Sequence, residues 1–224
     1  MIDAVLFDVD GTLVDTNYLH AATWWQAFAQ YGHTVPMATI HRAIGMGSDK
    51  LLDHLLPGDR DREDDDAVRS AHSALYAQYW TRLKPFDGAA ALLRECHRRG
   101  SRVVLASSAA VPELEALRRA LDADDAIDEA TSSSEVGASK PSPDLVELAL
   151  ERAGAPAARA VFVGDTRWDV EAAAKAGMPC VCVLSGGWSR DELTEAGAAA
   201  VYDDPRALLD DLDGSPLAGA GSRA

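Results

Sequence analysis

Six short apolar runs, set apart by helical patterns, constrain the fold most. They are Ala4–Phe7, Val103–Ala106, a weak run at Ala126–Ala130, Ala160–Val163, Cys180–Leu184 and Ala200–Tyr202. Several are nearly unbroken Val, Leu, Ile or Ala, which suits parallel strands covered on both faces. Between them, apolar residues recur at helical spacing. Ala89–Arg99 stops at Gly100, Pro112–Leu121 carries leucines at 114, 117 and 121, Pro143–Ala153 stops at Gly154, and Glu171–Ala176 stops at Gly177. Glycine just past a helix is a common terminator. Strands alternating with helices give βαβ units, and so an α/β fold with a parallel, doubly wound sheet.

One stretch breaks the alternation. From Asn17 to about Pro85 no strand pattern appears, and the sequence predicts helices at Tyr18–Tyr31, Met37–Ala43, Asp49–Leu56 and Ala67–Arg82. This reads as a helical unit (17–85) inserted after the first strand of a core made of 1–16 and 86–212. Residues 213–224, mostly Gly, Ser and Ala, are expected to fray as a flexible tail. The acid-rich Gly58–Asp66 lacks the spaced ligands of a calcium loop and reads as a solvated turn and helix start.

The net charge of −15 argues against nucleic acid and against anionic membrane surfaces as partners. A small anionic substrate requires a local cation to offset that field. No apolar stretch approaches the ~20 residues of a membrane span. The start, MIDAVLFDVDGT, has no basic segment and meets two acids early, so no secretion signal is expected. Cys96, Cys180 and Cys182 are odd in number and lack zinc spacing. They read as buried thiols, and the protein as cytoplasmic. It is expected to be a monomer or homodimer.

Ligands of open α/β sheets bind at the carboxyl ends of the strands. The first strand leads into Asp8-Val9-Asp10-Gly11-Thr12, where Gly11 permits a sharp turn. Two carboxylates two apart cannot both be buried unpaired. The second leads into Ser107 and Ser108, Lys140 follows in SKPSPD, and the fourth strand leads into Gly164-Asp165-Thr166-Arg167-Trp168-Asp169. Singly each has a structural explanation, such as a turn, a helix cap or an exposed charge. Together they aim several carboxylates, a serine and a lysine at one crevice. Such carboxylates repel unless a hard cation joins them, and oxygen-only ligation suits Mg²⁺. A free carboxylate can attack phosphorus, and a second can exchange the proton of the leaving oxygen. Lysine and serine can hold phosphoryl oxygens while charge shifts.

DVDGTLVDT, the serine after VVLAS, the lysine of SKPSPD and GDTRWDVEAAAKAG together resemble the haloacid dehalogenase superfamily, along the whole core. The resemblance implies a three-layer Rossmann-like core and a C1-type α-helical cap in the inserted unit. It implies that Asp8 is the nucleophile and Asp10 the general acid/base. It implies Mg²⁺ on the Asp8 side chain, the Asp10 backbone carbonyl and Asp165, with Asp169 as a direct or water-mediated partner. Ser107 and Lys140 match phosphate-holding positions. Gly11, Thr12 and Ser108, beside those motifs, are expected at the substrate, as are His20, Arg42 and Gly47 of the cap.

Asp10 separates this chain from 2-haloacid dehalogenases, which need no proton donor there. A phosphonatase requires an activated cap lysine, and nothing around Lys50 supports one. The phosphoglycolate phosphatase-like branch, acting on a small phosphorylated metabolite, is favoured over the β-phosphoglucomutase-like branch. His20 and Trp24 faintly resemble the mutase pattern. His41–Ser48 resembles the specificity loop of capped phosphatases, in which Arg42 could grip a substrate anion. A non-catalytic module on the same fold is the remaining alternative, and it has no need for the full set of site residues.

Overall fold

The apolar runs become strands because alternate side chains find cover on opposite faces. The computed structural model describes residues 2–60, 62–135 and 137–218. Its strands are β1 (Ala4–Phe7), β2 (Arg102–Ala106), β3 (Glu129–Thr131), β4 (Ala160–Gly164), β5 (Cys180–Val183) and β6 (Ala200–Tyr202). Its helices are α1 (Asn17–Gln30), α2 (Met37–Ala43), α3 (Ser48–Leu55), α4 (Asp65–Ala77), α5 (Ala89–Arg98), α6 (Val111–Leu121), α7 (Asp144–Ala153), α8 (Arg167–Lys175), α9 (Arg190–Ala196) and α10 (Pro205–Asp210). The sheet order is β3-β2-β1-β4-β5-β6, all parallel. This is the expected α/β architecture.

Val5, Phe7, Val103, Leu105 and Val163 share one apolar cluster with Leu92 of α5, Leu117 of α6 and Leu208 of α10. Leu6, Val104, Phe162, Cys180 and Cys182 share the other with Val146 of α7 and Ala172 of α8. Two helical layers therefore enclose the sheet. Each large side chain buried this way contributes about 1.5–3 kcal/mol. All three cysteines are free and buried, and the Cys180 and Cys182 sulfurs lie 3.8 Å apart on one face. Among the described residues, no helix is long and apolar enough to cross a membrane.

The inserted helices α1–α4 have their own cluster, including Trp24, Phe28, Ile40, Leu52 and Val68. The two chain crossings that join them to the sheet pair with each other. Asp15 N–H donates to Lys84 O at 3.0 Å, and Phe86 N–H donates to Leu13 O at 2.9 Å.

Four boundaries differ from expectation. β3 starts at Glu129 because Asp124–Ala126 forms a 3₁₀ turn. α8 starts at Arg167 rather than Glu171, because Thr166 and Asp169 form a reciprocal capping box. The helix expected over Ala67–Arg82 divides into α4 and a 3₁₀ turn at Trp80–Arg82. The chain does not fray at Asp213. Pro216–Ala218 forms a 3₁₀ turn, and Leu217 is buried in the core. The rest of the expected tail, 219–224, lies outside the described residues. Strand order reverses between β1 and β4, so the loops after them open into a shared crevice.

Candidate active site

Asp8 follows β1, Asp165 follows β4 and Asp169 lies in the first turn of α8. All three are buried, and one carboxylate oxygen from each lies within 4.8 Å of the others. Lys140, also fully buried, ion-pairs with Asp8 and stands 2.8 Å from Asp169 Oδ1. The Thr12 hydroxyl lies 2.9 Å from Asp165 Oδ1 and 3.3 Å from Asp8 Oδ2. The Asn17 amide donates to Asp165 Oδ2 at 2.7 Å. Asp169 Oδ2 accepts from Thr166 N–H at 3.0 Å and its hydroxyl at 2.6 Å.

Three buried carboxylates thus face one ammonium. Burial pushes Asp8 up to about 7, against Lys140 and with help from Asp169 and Asp10. Burial, then Asp169 and Asp8, push Asp165 well above the carboxylate range. Burial pulls Lys140 down, but Asp169 and Asp8 outweigh it and hold the ammonium above its usual value. Surplus carboxylate oxygens, all hard donors in a dry site, fit a divalent cation. The backbone leaves room for little else there. A Cβ on Gly186 would stand 1.6 Å from Asp165 Oδ2.

The Asp10 side chain turns to a second cluster. Its Oδ1 accepts from Thr16 Oγ1 at 2.8 Å and lies 3.2 Å from His20 Nε2. The same His20 nitrogen is 3.5 Å from Glu113 Oε1, and His20 Nδ1 is 3.3 Å from His72 Nε2. The rings are held by stacking, His20 on Tyr76 at 3.9 Å and His72 on Trp24 at 4.0 Å. Burial pushes Asp10 up, but the bonds from His20 and Thr16 outweigh it and hold the carboxyl below its usual value. Burial pushes His20 down, but Asp10 and Glu113 outweigh it and hold the imidazolium above its usual range. Burial, then His20, drive His72 well down, so it is neutral. Burial lifts Glu113 to about 7, with His20 opposing and Asp10 adding.

Both clusters meet at a cavity of about 130 Å³ between the sheet and the inserted helices. The core supplies Asp8, Asp10, Ser108 and Glu113, and the insertion supplies His20, Trp24, His72 and the loop 44–48. Gly45 and Gly47 bring that loop against the core. A Cβ on Gly45 would meet Thr166 Oγ1 at 2.8 Å, and one on Gly47 would meet Ser139 Cβ at 2.3 Å. The arrangement gives a carboxylate facing open space, a cation-seeking oxygen set beside it, and a second carboxylate with its own proton partner.

A family model described as haloacid dehalogenase-like hydrolase matches residues 2–177. The chain belongs to the haloacid dehalogenase-like hydrolases. The protein CbbY of Cereibacter sphaeroides is 33% identical, over 91% of this chain and 92% of its own. The phosphoglycolate phosphatase of Rhodospirillum rubrum is 31% identical, over 94% of this chain and 90% of its own. The crystal structure of a hydrolase from Pseudomonas syringae superposes with a TM-score of 0.89 at 32% identity, covering 94% of this chain and 98% of that one.

Within this haloacid dehalogenase-like frame, Asp8, Asp165, Asp169 and Lys140 converge as the strand ends suggested. Asp10, His20, Gly47 and Ser108 border the cavity. The Ser108 hydroxyl is buried with no hydrogen-bond partner among the described residues, so it is free for a ligand. Four other residues expected at the substrate have these partners in the structure. Thr12 spends its hydroxyl on the carboxylates, and the Gly11 carbonyl accepts from Ser185 Oγ at 2.7 Å. Ser107 Oγ accepts from Ala109 N–H at 3.0 Å and does not border the cavity. Arg42 does not border it either. Its guanidinium pairs with Glu192 at 2.9 Å and lies over the Trp188 ring at 4.6 Å. No local sequence pattern marks Asn17, His72 and Glu113 as site residues. Only the fold brings them together.

Proposed function

We propose that the site hydrolyses a small phosphomonoester in two displacements at phosphorus, with Asp8 as nucleophile and Asp10 as acid and base. The chain is a phosphatase of the haloacid dehalogenase-like family. What carries the reading is Asp8 itself, a buried carboxylate bordering the cavity, backed by Lys140 and flanked by the Asp10–His20 pair.

In the first displacement an Asp8 oxygen bonds to phosphorus as the ester P–O bond breaks, and the proton that His20 holds against Asp10 Oδ1 passes through Asp10 to the leaving oxygen. In the second, water attacks phosphorus and gives a proton to Asp10. The P–O bond to Asp8 breaks, and phosphate leaves. Lys140 holds Asp8 in the attacking orientation and offsets charge on the phosphoryl oxygens. His20 then takes that proton back from Asp10, which restores the starting pair. Asp8, the Asp10 carbonyl, Asp165 and Asp169 would hold Mg²⁺, which would supply charge neutralisation at the phosphoryl oxygens.

The helical insertion serves in this reading as a cap (17–85) over the core (1–16 and 86–212), excluding bulk water from the phosphorylated Asp8. The three buried free thiols suit a reducing cytoplasm. The test is p-nitrophenyl phosphate hydrolysis with and without Mg²⁺, with acid-quench capture of phosphate on the protein. Turnover that persists in chelator, or quenched protein carrying no acid-stable phosphate on Asp8, contradicts the reading.

A further inference from the structure

The cavity has a side that the phosphoryl chemistry does not use, and its charge is unusual for an enzyme of anionic metabolites. Among the described residues that border it there is no lysine or arginine. Glu113, in the first turn of α6, has its Oε1 3.5 Å from His20 Nε2, which is also 3.2 Å from Asp10 Oδ1. His20 is therefore shared by two carboxylates before any ligand arrives. His72 is neutral, and Arg42 is committed to Glu192 and Trp188. What remains for a leaving group is hydrogen-bonding atoms with no net positive charge, among them the Glu113 carboxyl, His72 and the unpartnered Ser108 hydroxyl.

We infer that the site takes the phosphate ester of a small, uncharged, hydroxyl-bearing leaving group, a short polyol or sugar, and that Glu113 selects it. This rests on the phosphatase reading above and adds the leaving group to it. A substrate hydroxyl can donate to the Glu113 carboxyl and accept from Ser108, whose hydroxyl has no partner among the described residues. A carboxylate or second phosphate in the same place would be desolvated beside Glu113 and Asp10 with no counterion. A site built to bond a hydroxyl discriminates sharply by what its polar groups are left without. The cavity, at about 130 Å³, is below the roughly 300–1,000 Å³ of drug-sized pockets, which limits the leaving group to a few carbons. The inference departs from phosphoglycolate, named for the Rhodospirillum rubrum relative, whose leaving group carries a carboxylate.

The test uses the full chain with Mg²⁺ at pH 8 and two matched pairs of three-carbon esters: glycerol 3-phosphate against 3-phosphoglycerate, and glycerol 2-phosphate against 2-phosphoglycerate. Within each pair a hydroxymethyl group of the leaving group is replaced by a carboxylate. In both, kcat/KM for the uncharged member should exceed that of its partner by more than about tenfold, as like-charge contact demands. Glu113→Gln keeps the shape and removes the charge, so it should shrink both ratios at least about fivefold. A merely structural role would lower all four rates and leave the ratios alone. Wild-type ratios below ten overturn the substrate class, as does turnover of p-nitrophenyl phosphate without turnover of the uncharged esters. Unchanged ratios in the variant overturn the role of Glu113. Failure on p-nitrophenyl phosphate as well is a different result, and it overturns the phosphatase reading itself.

Discussion

His20 Nε2 lies 3.2 Å from Asp10 Oδ1, and each group shifts the titration of the other. Asp10 ionises below its ordinary 3.8 despite burial, and His20 stays protonated above its ordinary 6.5. The histidine comes from the insertion and the aspartate from the loop after β1, so the pair also ties the two parts of the molecule together.

That pair has a pH signature in stability. A histidine with a raised folded pKa contributes fully below its unfolded value and loses the contribution as pH rises through the folded one. An aspartate with a lowered folded pKa contributes above its unfolded value and loses it as pH falls. Both terms are present together between 3.8 and 6.5. Urea unfolding of the wild type and His20→Gln should show the widest stability gap in that window, narrowing as pH rises past 6.5. A gap independent of pH would mean that packing against Tyr76, and not charge, is what His20 provides.

Asp8→Asn keeps the volume and removes the attacking charge. Turnover should fall by about a thousandfold or more, as it does when other enzymes lose a nucleophile. The circular dichroism spectrum should be unchanged. Retention of a tenth of the wild-type rate would rule out covalent catalysis through Asp8.

The buried trio makes metal binding both stabilising and proton-linked. Without metal, the folded protein holds a proton on Asp8 up to about 7, whereas the unfolded chain releases it near 3.8. The folded state then binds more protons than the unfolded one, so this group's contribution to stability falls as pH rises across that interval. A bound cation requires the ionised form and reverses the penalty. Mg²⁺ at a hundredfold excess over Kd should add about 2.7 kcal/mol, or about 5–10 °C in Tm for a chain of this size. The Tm gain should grow between pH 5 and pH 8. A gain that stays flat with pH would show that Asp8 is already ionised in the metal-free protein.

The sequence around Arg42 resembles a specificity loop, in which it could grip a substrate anion. Its partners, Glu192 and Trp188, lie about 150 positions away, and no local pattern announces them. An exposed ion pair and a surface cation–π contact are each worth about 1 kcal/mol or less. Arg42→Ala should therefore change kcat/KM by less than about fivefold, and equally for p-nitrophenyl phosphate and for metabolite esters. A selective loss on the metabolite esters would put Arg42 back at the substrate.

The same contrast runs through the rest of the molecule. β1, β2, β4 and β5 were legible because strands covered on both faces carry a continuous apolar run, and the residue after such a run stands at the sheet's reactive edge. Asp8, Ser107 and Asp165 each stand directly after such a run. β3 is hard to place because the run Ala126–Ala130 begins in a 3₁₀ turn, and the strand itself carries Glu129 and Thr131. Glu113 was passed over because an acid in a helix's first turn is ordinary complement to the helix dipole. His72 sits on an amphipathic helix, and only the packing of α4 against α1 brings it to His20. Leu217, lone among small residues, gave no periodicity to mark it as core.

Gly186 is the residue where backbone geometry and chemistry meet most tightly. Its carbonyl accepts from Asn17 Nδ2 at 3.1 Å and lies 3.0 Å from His41 Nε2, so the loop after β5 is held by two side chains of the inserted helices. A Cβ here would stand 1.6 Å from Asp165 Oδ2 and 2.7 Å from Asn17 Nδ2, closer than any neighbour can tolerate. The Asp165 carboxylate cannot retreat without leaving Thr12 and Asn17, which fix its two oxygens. Gly186→Ala should therefore cost about 1–3 kcal/mol in stability, the range for overpacking a tight interior. It should also displace a cation-holding oxygen, so the Mg²⁺-dependent gain in Tm should vanish and turnover should fall by more than about tenfold. Gly58→Ala is the control, because nothing lies within 4 Å of its Cβ position. Calorimetry with and without Mg²⁺ on both variants decides the matter. If Gly186→Ala keeps the metal-dependent gain, the carboxylate of Asp165 is not part of the cation site.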